Sequence, residues 1–201
     1  SMGIDVSGLV EHLGRNTRCI ADPKQENTVT MAYHASLKAL QSANVSPEEI
    51  DLIIFGTDCP EKLVPSNAIL LHDKLHTINA HQIFDLNSNC IGMLTAIDIG
   101  SRLLINNTRL NKALIVGSFM GNFISSKTDP VCYSNMADAA AAIILERVEE
   151  PYRRGFIDSS FKTDTIVKDK FQYPVCGFSN LFDEGIDPED KKLKLDPFDT
   201  G

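Results

Sequence analysis

One cysteine in this sequence lies at the junction of a predicted strand and a predicted helix. In residues 84–93, FDLNSNCIGM, an apolar run ends in three small polar residues, and Cys90 then opens a long helical pattern. Unpaired amides and the dipole of a helix N-terminus favour the thiolate, which is the nucleophilic form. The amide of Cys90 is also placed to donate to an oxyanion. The pattern predicts a nucleophile at Cys90, and the alternative is a small residue packed at a strand–helix corner.

The other thiols and the histidines give no comparable pattern. The cysteine count is odd, and no two cysteines have the spacing of a redox pair or a zinc knuckle, which favours free thiols in a reducing compartment. We interpret the other four as packing or loop residues: Cys19, Cys59, Cys132 and Cys176. His72 and His76 share one predicted helix at i,i+4, but the sequence offers no third ligand. We therefore predict no metal site.

The elements that position Cys90 alternate between strands and helices. This alternation predicts an α/β fold with a largely parallel sheet and helices on both faces. Strands are predicted at 51–57, 82–86, 112–118 and 139–145, and helices at 28–44, 65–75 and 90–107, with a short helix start at 46–49. Thr28 is the predicted cap of the first helix, and Ser66 and Asn67 are predicted to start the second. Residues 1–150 form the predicted core, and residues 151–201 a strand near 155–160 followed by a long irregular excursion.

Composition excludes several classes of function. The chain has 201 residues, a formal charge of −8 and 43% hydrophobic residues, so it can bury a core without disulfides or metals. A net negative charge argues against binding to nucleic acid or to an anionic membrane. The sequence has no apolar run of about 18 residues and no signal-peptide pattern at its start. We expect a cytoplasmic protein.

Several segments together resemble one family. The run from Asn27 to about Ile144 is similar to the N-terminal half of the 3-oxoacyl-acyl-carrier-protein synthase III enzymes, which have the thiolase fold. The matching segments are GRNTRCIADPKQENTVTMAYHASLKAL, EEIDLIIFGTDCPEKLVPSNAILLHDKL, FDLNSNCIGMLTAI, LNKALIVGS and NMADAAAAIIL. Their order and spacing agree with the family, although no single motif is specific.

The resemblance implies a function and partners. Cys90 would attack an acyl thioester of coenzyme A or acyl carrier protein and become an acyl-enzyme. Malonyl-acyl carrier protein would then be decarboxylated and condensed with the acyl group, in fatty-acid or related lipid and polyketide-like synthesis. The resemblance also implies a homodimer formed through the N-terminal half and no permanently bound cofactor. The His and Asn that assist decarboxylation in the family belong to its C-terminal half.

The sequence departs from the family in three ways. The family's first strand, which we expect to be central in its sheet, has no counterpart before Gly14, so two neighbouring strands would lose a partner. The family's coenzyme A-binding Trp and Arg have no clear match, so the cofactor-binding residues stay unassigned. The glycine-rich strand has become alanine-rich, and Asp138 within it is expected to bind backbone amides. A half-domain acting in dimerisation or binding is the alternative function.

Overall fold

A computed structural model describes residues 7–14, 17–152 and 154–196. The chain divides into two compact units. The larger unit contains residues 21–119 and 139–160, and the smaller unit contains residues 1–20, 120–138 and 161–201. Cys90 and the elements that precede and follow it belong to the larger unit.

Helices and strands alternate from residue 28 to residue 120, and one helix precedes that stretch and two helices follow it directly. The helices are α1 (Ser7–Leu13), α2 (Thr28–Ala43), α3 (Asn67–Leu75), α4 (Gly92–Asn106), α5 (Gly121–Ile124) and α6 (Pro130–Asn135). The strands are β1 (Leu52–Gly56), β2 (Gln82–Leu86), β3 (Lys112–Met120), β4 (Asp138–Glu146), β5 (Phe171–Gln172) and β6 (Lys194–Leu195). Short 3-10 turns occupy Pro47–Glu49, Asn89–Ile91, Phe178–Asn180 and Pro188–Lys191.

The main sheet has four strands in the order β2-β1-β3-β4. Strand β1 pairs in parallel with β2 and with β3 along its whole length, with Gly56 opposite Leu86 and Gly117. The Arg147 amide donates to the Asn111 carbonyl at 2.8 Å, which places the end of β4 beside the start of β3, as in an antiparallel pair. The sheet is therefore mostly parallel, as the sequence predicts.

Helices cover both faces of this sheet. Every residue of β1 is buried, and alternate residues point to opposite faces. Ile53 and Phe55 pack in the cluster that contains residues of α2 and α3, whereas Leu52 and Ile54 pack in the cluster that contains residues of α4. Burial on both faces explains why β1 is a continuous apolar run rather than an alternating one.

The expected gap in the sheet does not occur. We expected the absence of a central first strand to leave two neighbours without a partner. Instead β1 and β3 pair directly, from Leu52 opposite Ala113 to Gly56 opposite Gly117. The backbone groups of these two buried strands therefore satisfy one another, and the expectation about the centre of the sheet is wrong.

Several predicted boundaries need correction. Asn27 rather than Thr28 caps α2, because the Asn27 side chain accepts from the amides of Val29 and Thr30. Helix α4 begins at Gly92, since a 3-10 turn takes up the residues before it. No strand forms at residues 155–160, where side chains rather than a ladder hold the segment: Arg102 donates to Ser159 at 3.0 Å and lies over the Phe156 ring.

The smaller unit is built from short elements that the sequence pattern did not predict. Helices α1, α5 and α6 have four to seven residues each, too few for a periodic pattern to be read. Strands β5 and β6 pair antiparallel, with Phe171 opposite Leu195. Among the described residues, no helix is long and apolar enough to cross a membrane.

Candidate active site

Cys90 lies in the 3-10 turn that joins the carboxyl end of β2 to the N-terminus of α4. The thiol-bearing residue is exposed, so a substrate can reach it. One residue, Ile91, separates Cys90 from the start of α4, and the fifteen residues of α4 align their peptide dipoles toward this end. The strand–turn–helix placement predicted for Cys90 is confirmed, with the helix beginning two residues later than expected.

Local hydrogen bonds shape the turn around Cys90. The Asn89 amide donates to the Asn87 side-chain oxygen at 3.2 Å, and Asn89 adopts a left-handed conformation with φ of 48°. Asparagine tolerates this conformation better than most residues. The Thr95 hydroxyl lies 3.1 Å from the Ser88 hydroxyl and 3.1 Å from the Ile91 carbonyl. The small polar residues that precede and follow Cys90 therefore stabilise a tight strand-to-helix turn.

Glycines bring the start of α4 close to the sheet. A Cβ at Gly56 would lie 3.5 Å from the carbonyl carbon of Gly92, so only one side-chain atom would fit between the end of β1 and the first residue of α4. A Cβ at Gly117 would lie 3.1 Å from the Met93 sulfur. Gly92 is two residues after Cys90. The close packing of the start of α4 therefore holds the turn that contains Cys90 near the carboxyl end of β1.

A partly buried hydrogen-bond network anchors the adjacent loop. Asp85, next to last in β2, accepts from the amide and the side-chain nitrogen of Asn67 at 2.8 Å each, and from the Ala68 amide at 2.7 Å. Asn67 is fully buried, and its side-chain oxygen accepts from the Glu61 amide at 2.9 Å. We call these residues, Asp85, Asn67, Ala68 and Glu61, the Asp85 clasp. It caps α3 from a neighbouring strand and holds the loop after β1 beside the strand that leads to Cys90.

The clasp is the part of the site that sequence reasoning missed. A cap role for Ser66 and Asn67 is confirmed in part: the Ser66 hydroxyl accepts from the Ile69 amide at 3.4 Å, and Asn67 is the first residue of α3. The main acceptor is Asp85, eighteen residues further along the chain. The available signal was an acidic residue inside the apolar strand QIFDL.

Asp58 is a second carboxyl group at this edge of the sheet. It follows β1 by two residues and is half-buried. Burial raises the pKa of the Asp58 carboxyl above its ordinary value, and a backbone hydrogen bond opposes the shift. The parallel register, Gly56 opposite Leu86, puts Asp58 and the Asn87–Cys90 turn after the same ends of neighbouring strands.

The remaining thiols lie in other settings. Cys19 is exposed, Cys176 is partly exposed, and Cys59 and Cys132 are buried. Burial raises the pKa of the Cys132 thiol, whose sulfur lies 3.6 Å from both the Ser125 hydroxyl and the Leu193 carbonyl, the two acceptors within reach of its single proton. None of the four precedes a long helix at the end of a strand of the main sheet.

Two further predictions concern Asp138 and the histidines. Asp138 is buried, and its carboxylate accepts from the Asn122 amide at 2.9 Å, which confirms the predicted backbone-binding role.

His72 lies in α3 with its Nδ1 2.8 Å from the Thr77 hydroxyl, and His76 is the left-handed residue that ends α3. Both histidines therefore belong to the C-terminal end of one helix. Within the described ranges, no three His, Cys, Asp or Glu side chains form a group suited to a metal ion.

Comparison with protein families assigns this strand–turn–helix segment to one family. Residues 84–165, which include Cys90, match the model of 3-oxoacyl-[acyl-carrier-protein] synthase III. Among curated proteins, the chain is 40% identical over 125 residues to the β-ketoacyl-[acyl-carrier-protein] synthase III of Clostridium perfringens, strain 13, covering 62% of this chain and 38% of the relative. The chain spans 38–50% of the length of the curated relatives it matches.

Solved structures give the same relationship. The 3-oxoacyl-[acyl-carrier-protein] synthase III of Aquifex aeolicus VF5 matches with a TM-score of 0.63 and 32% identity over 68% of this chain and 43% of that one. The β-ketoacyl-[acyl carrier protein] synthase III of Thermus thermophilus shares the fold, with a TM-score of 0.80 and 21% identity over 96% of this chain and 57% of that one. The predicted resemblance is confirmed: residues 84–165 match the family model, and the chain is similar to 3-oxoacyl-[acyl-carrier-protein] synthase III enzymes in sequence and fold over part of their length.

Proposed function

We propose that this chain carries the acyl-accepting step of a synthase III-type condensing enzyme, with Cys90 as the nucleophile. The observation that carries the proposal is the exposed thiol in the turn between β2 and α4, inside the segment that matches the family model. Relatives named as β-ketoacyl-[acyl-carrier-protein] synthase III support the substrate class, an acyl thioester.

The proposed step balances as a thioester exchange. The Cys90 sulfur attacks the thioester carbonyl, and its proton leaves to solvent or to the departing thiolate. The tetrahedral oxyanion collapses, the carbonyl–sulfur bond of the donor breaks, and free coenzyme A or carrier-protein thiol departs. The N-terminal end of α4 favours both the attacking thiolate and the developing oxyanion, because both carry negative charge.

Condensation is the second part of the proposal. The acyl group on Cys90 would accept the carbanion formed when malonyl-acyl carrier protein loses carbon dioxide. The resemblance assigns the groups that assist this decarboxylation, a His and an Asn, to the other half of the family fold. We therefore propose condensation for a synthase that contains both halves and acyl transfer for the residues described here. A homodimer and a cytoplasmic location are part of the same proposal.

Acyl transfer can be tested directly on the full chain. The purified protein is incubated separately with acetyl-coenzyme A and acetyl-acyl carrier protein and is then analysed by intact mass and peptide mass spectrometry. We expect one acetyl group on Cys90 and none on the Cys90→Ser variant, whereas Cys19→Ser, which removes another exposed thiol, should leave the modification unchanged. Equal labelling of Cys19 and Cys90, or none with either donor, would favour a non-catalytic half-domain that dimerises or binds.

A further inference from the structure

Asp58 lies on the face of the sheet that carries α4. Ile54 of β1 packs in the cluster that contains residues of α4, so the even-numbered positions of this strand point to that face. The strand continues past Gly56 in the same phase, because the Thr57 amide donates to the Leu86 carbonyl at 3.0 Å, as the next bond of the parallel ladder would. The alternation therefore directs the Asp58 side chain toward α4.

Cys90 extends into the same space. The start of α4 packs close to the end of β1, since a Cβ at Gly56 would lie 3.5 Å from the carbonyl carbon of Gly92. From this close approach, two further residues of β1 lead to Asp58 and advance the chain by about 7 Å. Helix α4 runs back along the sheet to the parallel strand β3, so Cys90, two residues before Gly92, extends in the same direction as Asp58. The carboxyl group and the thiol therefore border one space beyond the strand ends.

The negative charge of Asp58 has no counterion. Among the described residues, no lysine, arginine or histidine pairs with its carboxylate, and the influences on it are burial and one backbone hydrogen bond. Its half-buried position limits screening by water.

The other charges along this edge are accounted for. Asp85 accepts from three N–H groups at the start of α3, on the opposite face of the sheet. The sequence between Asp85 and Asp98 contains no charged residue, so neither the turn at Cys90 nor the first turn of α4 brings a cationic side chain. An anionic group that reaches the thiol therefore meets the charge of Asp58 without a side-chain cation to offset it.

We propose that Asp58 selects the acyl group that Cys90 accepts, by repelling acyl groups that carry a carboxylate. A neutral acyl chain approaches the thiol without this electrostatic cost, whereas a malonyl or succinyl group brings a second negative charge beside Asp58. The selection rests on Cys90 as the acyl-accepting nucleophile of the proposed function. Its consequence is that a malonyl thioester is disfavoured at the acylation step, and Cys90 is left to neutral acyl groups.

A pair of alkylating reagents measures the charge beside Cys90 without acyl transfer. Iodoacetate is anionic and iodoacetamide is neutral, and both react with the thiolate, so the ratio of their rates cancels any change in the amount of thiolate. At pH 8 and low salt, we expect Asp58→Asn to raise the ratio of iodoacetate to iodoacetamide rates at Cys90 at least threefold and to leave the ratio at Cys19 unchanged. In 1 M salt, where charges are screened beyond about 3 Å, the difference between Asp58→Asn and the parent should disappear.

Matched variants separate the charge of Asp58 from its shape. Asp58→Glu keeps the charge and should keep the parent's ratio within twofold. Asp73→Asn removes an exposed carboxylate of α3 and should not change the ratio. Circular dichroism checks that every variant folds.

Acyl loading tests the selection itself. The parent and Asp58→Asn are incubated with butyryl-coenzyme A or succinyl-coenzyme A, whose acyl groups both have four carbons, and acylation of Cys90 is followed by peptide mass spectrometry. We expect Asp58→Asn to raise the rate with succinyl-coenzyme A, relative to butyryl-coenzyme A, at least threefold.

The outcomes distinguish this inference from the proposed function. The inference is overturned if Asp58→Asn keeps the parent's alkylation ratio at Cys90, if Asp73→Asn raises that ratio equally, or if the two acyl donors load in the same proportion in both proteins. Failure of butyryl-coenzyme A to load Cys90 in either protein contradicts the proposed function instead. In that case the alkylation ratio alone decides whether Asp58 repels anions from the thiol.

Discussion

The chemistry available to Cys90 depends on its exposure and on the helix that follows it. An exposed thiol can meet a bulky thioester, and the positive end of the α4 dipole favours negative charge nearby. Serine at this position would keep the size and the turn but would replace the sulfur with a poor nucleophile at neutral pH. Cys90→Ser should therefore abolish acyl transfer while leaving the free energy of unfolding within about 0.5 kcal/mol of the parent.

Asp58 gives a prediction about pH. Burial raises its pKa in the folded protein above the ordinary value of 3.8. As pH rises from the ordinary pKa to the raised one, the folded state holds more protons than the unfolded state, so the free energy of unfolding falls; above that window the loss stays constant. Asp58→Asn removes the group and should be more stable than the parent at pH 7, with an advantage that shrinks toward pH 3.8.

Urea unfolding between pH 3.5 and pH 7 measures this difference. Asp73→Asn, on the exposed side of α3, is the matched control and should not reproduce the pH-dependent gain. An Asp58→Asn variant that is equally or less stable at pH 7, or one whose advantage grows on acidification, would contradict the burial argument.

At the residue scale, local pattern predicted the placement of Cys90 between a strand and a helix but not the hydrogen bonds that support it. Cys90 could be found because strand, polar turn and helix are consecutive in the sequence. Asp85 could not be assigned its role, because its partners Asn67 and Ala68 lie on another element and meet it through the parallel pairing of β1 and β2. The role of a side chain that acts within one turn can be predicted from sequence spacing. A contact between two elements can be assigned only when the tertiary structure is known.

At the element scale, the Asp85 clasp joins α3 to the strand that leads to Cys90. Asn67→Ala removes a buried donor to Asp85 and the acceptor of the Glu61 amide. Leaving a buried group unsatisfied costs about 1–3 kcal/mol; because Asp85 and Glu61 are only partly shielded from water, we expect the free energy of unfolding to fall by about 1 kcal/mol, at the low end of that range. Urea unfolding measures this loss. Asn106→Ala, which removes a side-chain hydrogen bond on the exposed end of α4, should cost less than about 0.5 kcal/mol.

If the Asp85 clasp positions the turn that contains Cys90, loss of the clasp should also change the reactivity of the Cys90 thiol. Since Asp85 is five residues before Cys90, loosening the loop should slow the alkylation of Cys90 in Asn67→Ala but not the alkylation of Cys19. Equal free energies of unfolding for Asn67→Ala and Asn106→Ala would show that the Asp85 clasp does not contribute the predicted stability.

Long apolar elements were predictable, and short ones were not. The four strands of the main sheet and α2, α3 and α4 follow from runs of buried residues, with boundaries shifted by one or two positions. The strand expected near 155–160 does not form. This segment is bound to α4 by side-chain hydrogen bonds, from Arg102 to Ser159 and from Ser159 to Asp98, rather than by backbone pairing with a strand. The place of β1 beside β3 is a property of the sheet, which the order of elements along the chain does not reveal.

At the scale of the whole molecule, the chain spans 38–50% of the length of its curated relatives. If acyl acceptance and decarboxylation are divided between the halves of the family fold, this chain should accept an acetyl group without condensing it. We expect that adding malonyl-acyl carrier protein to the acetylated protein gives no acetoacetyl product and no release of carbon dioxide above the Cys90→Ser background. Product formation by the chain alone would show that residues within it assist decarboxylation.

The most direct test of the central claim is a map of thiol reactivity. The full chain is treated with limiting iodoacetamide across a range of pH, and each cysteine is followed by peptide mass spectrometry. Cys19 is the internal comparison, because it is exposed like Cys90 but lies outside a strand-to-helix turn. We predict that Cys90 reacts at least tenfold faster than Cys19 at neutral pH and that the buried Cys132 reacts slowest. Equal rates at Cys90 and Cys19 would contradict the proposal that the turn before α4 activates a nucleophile.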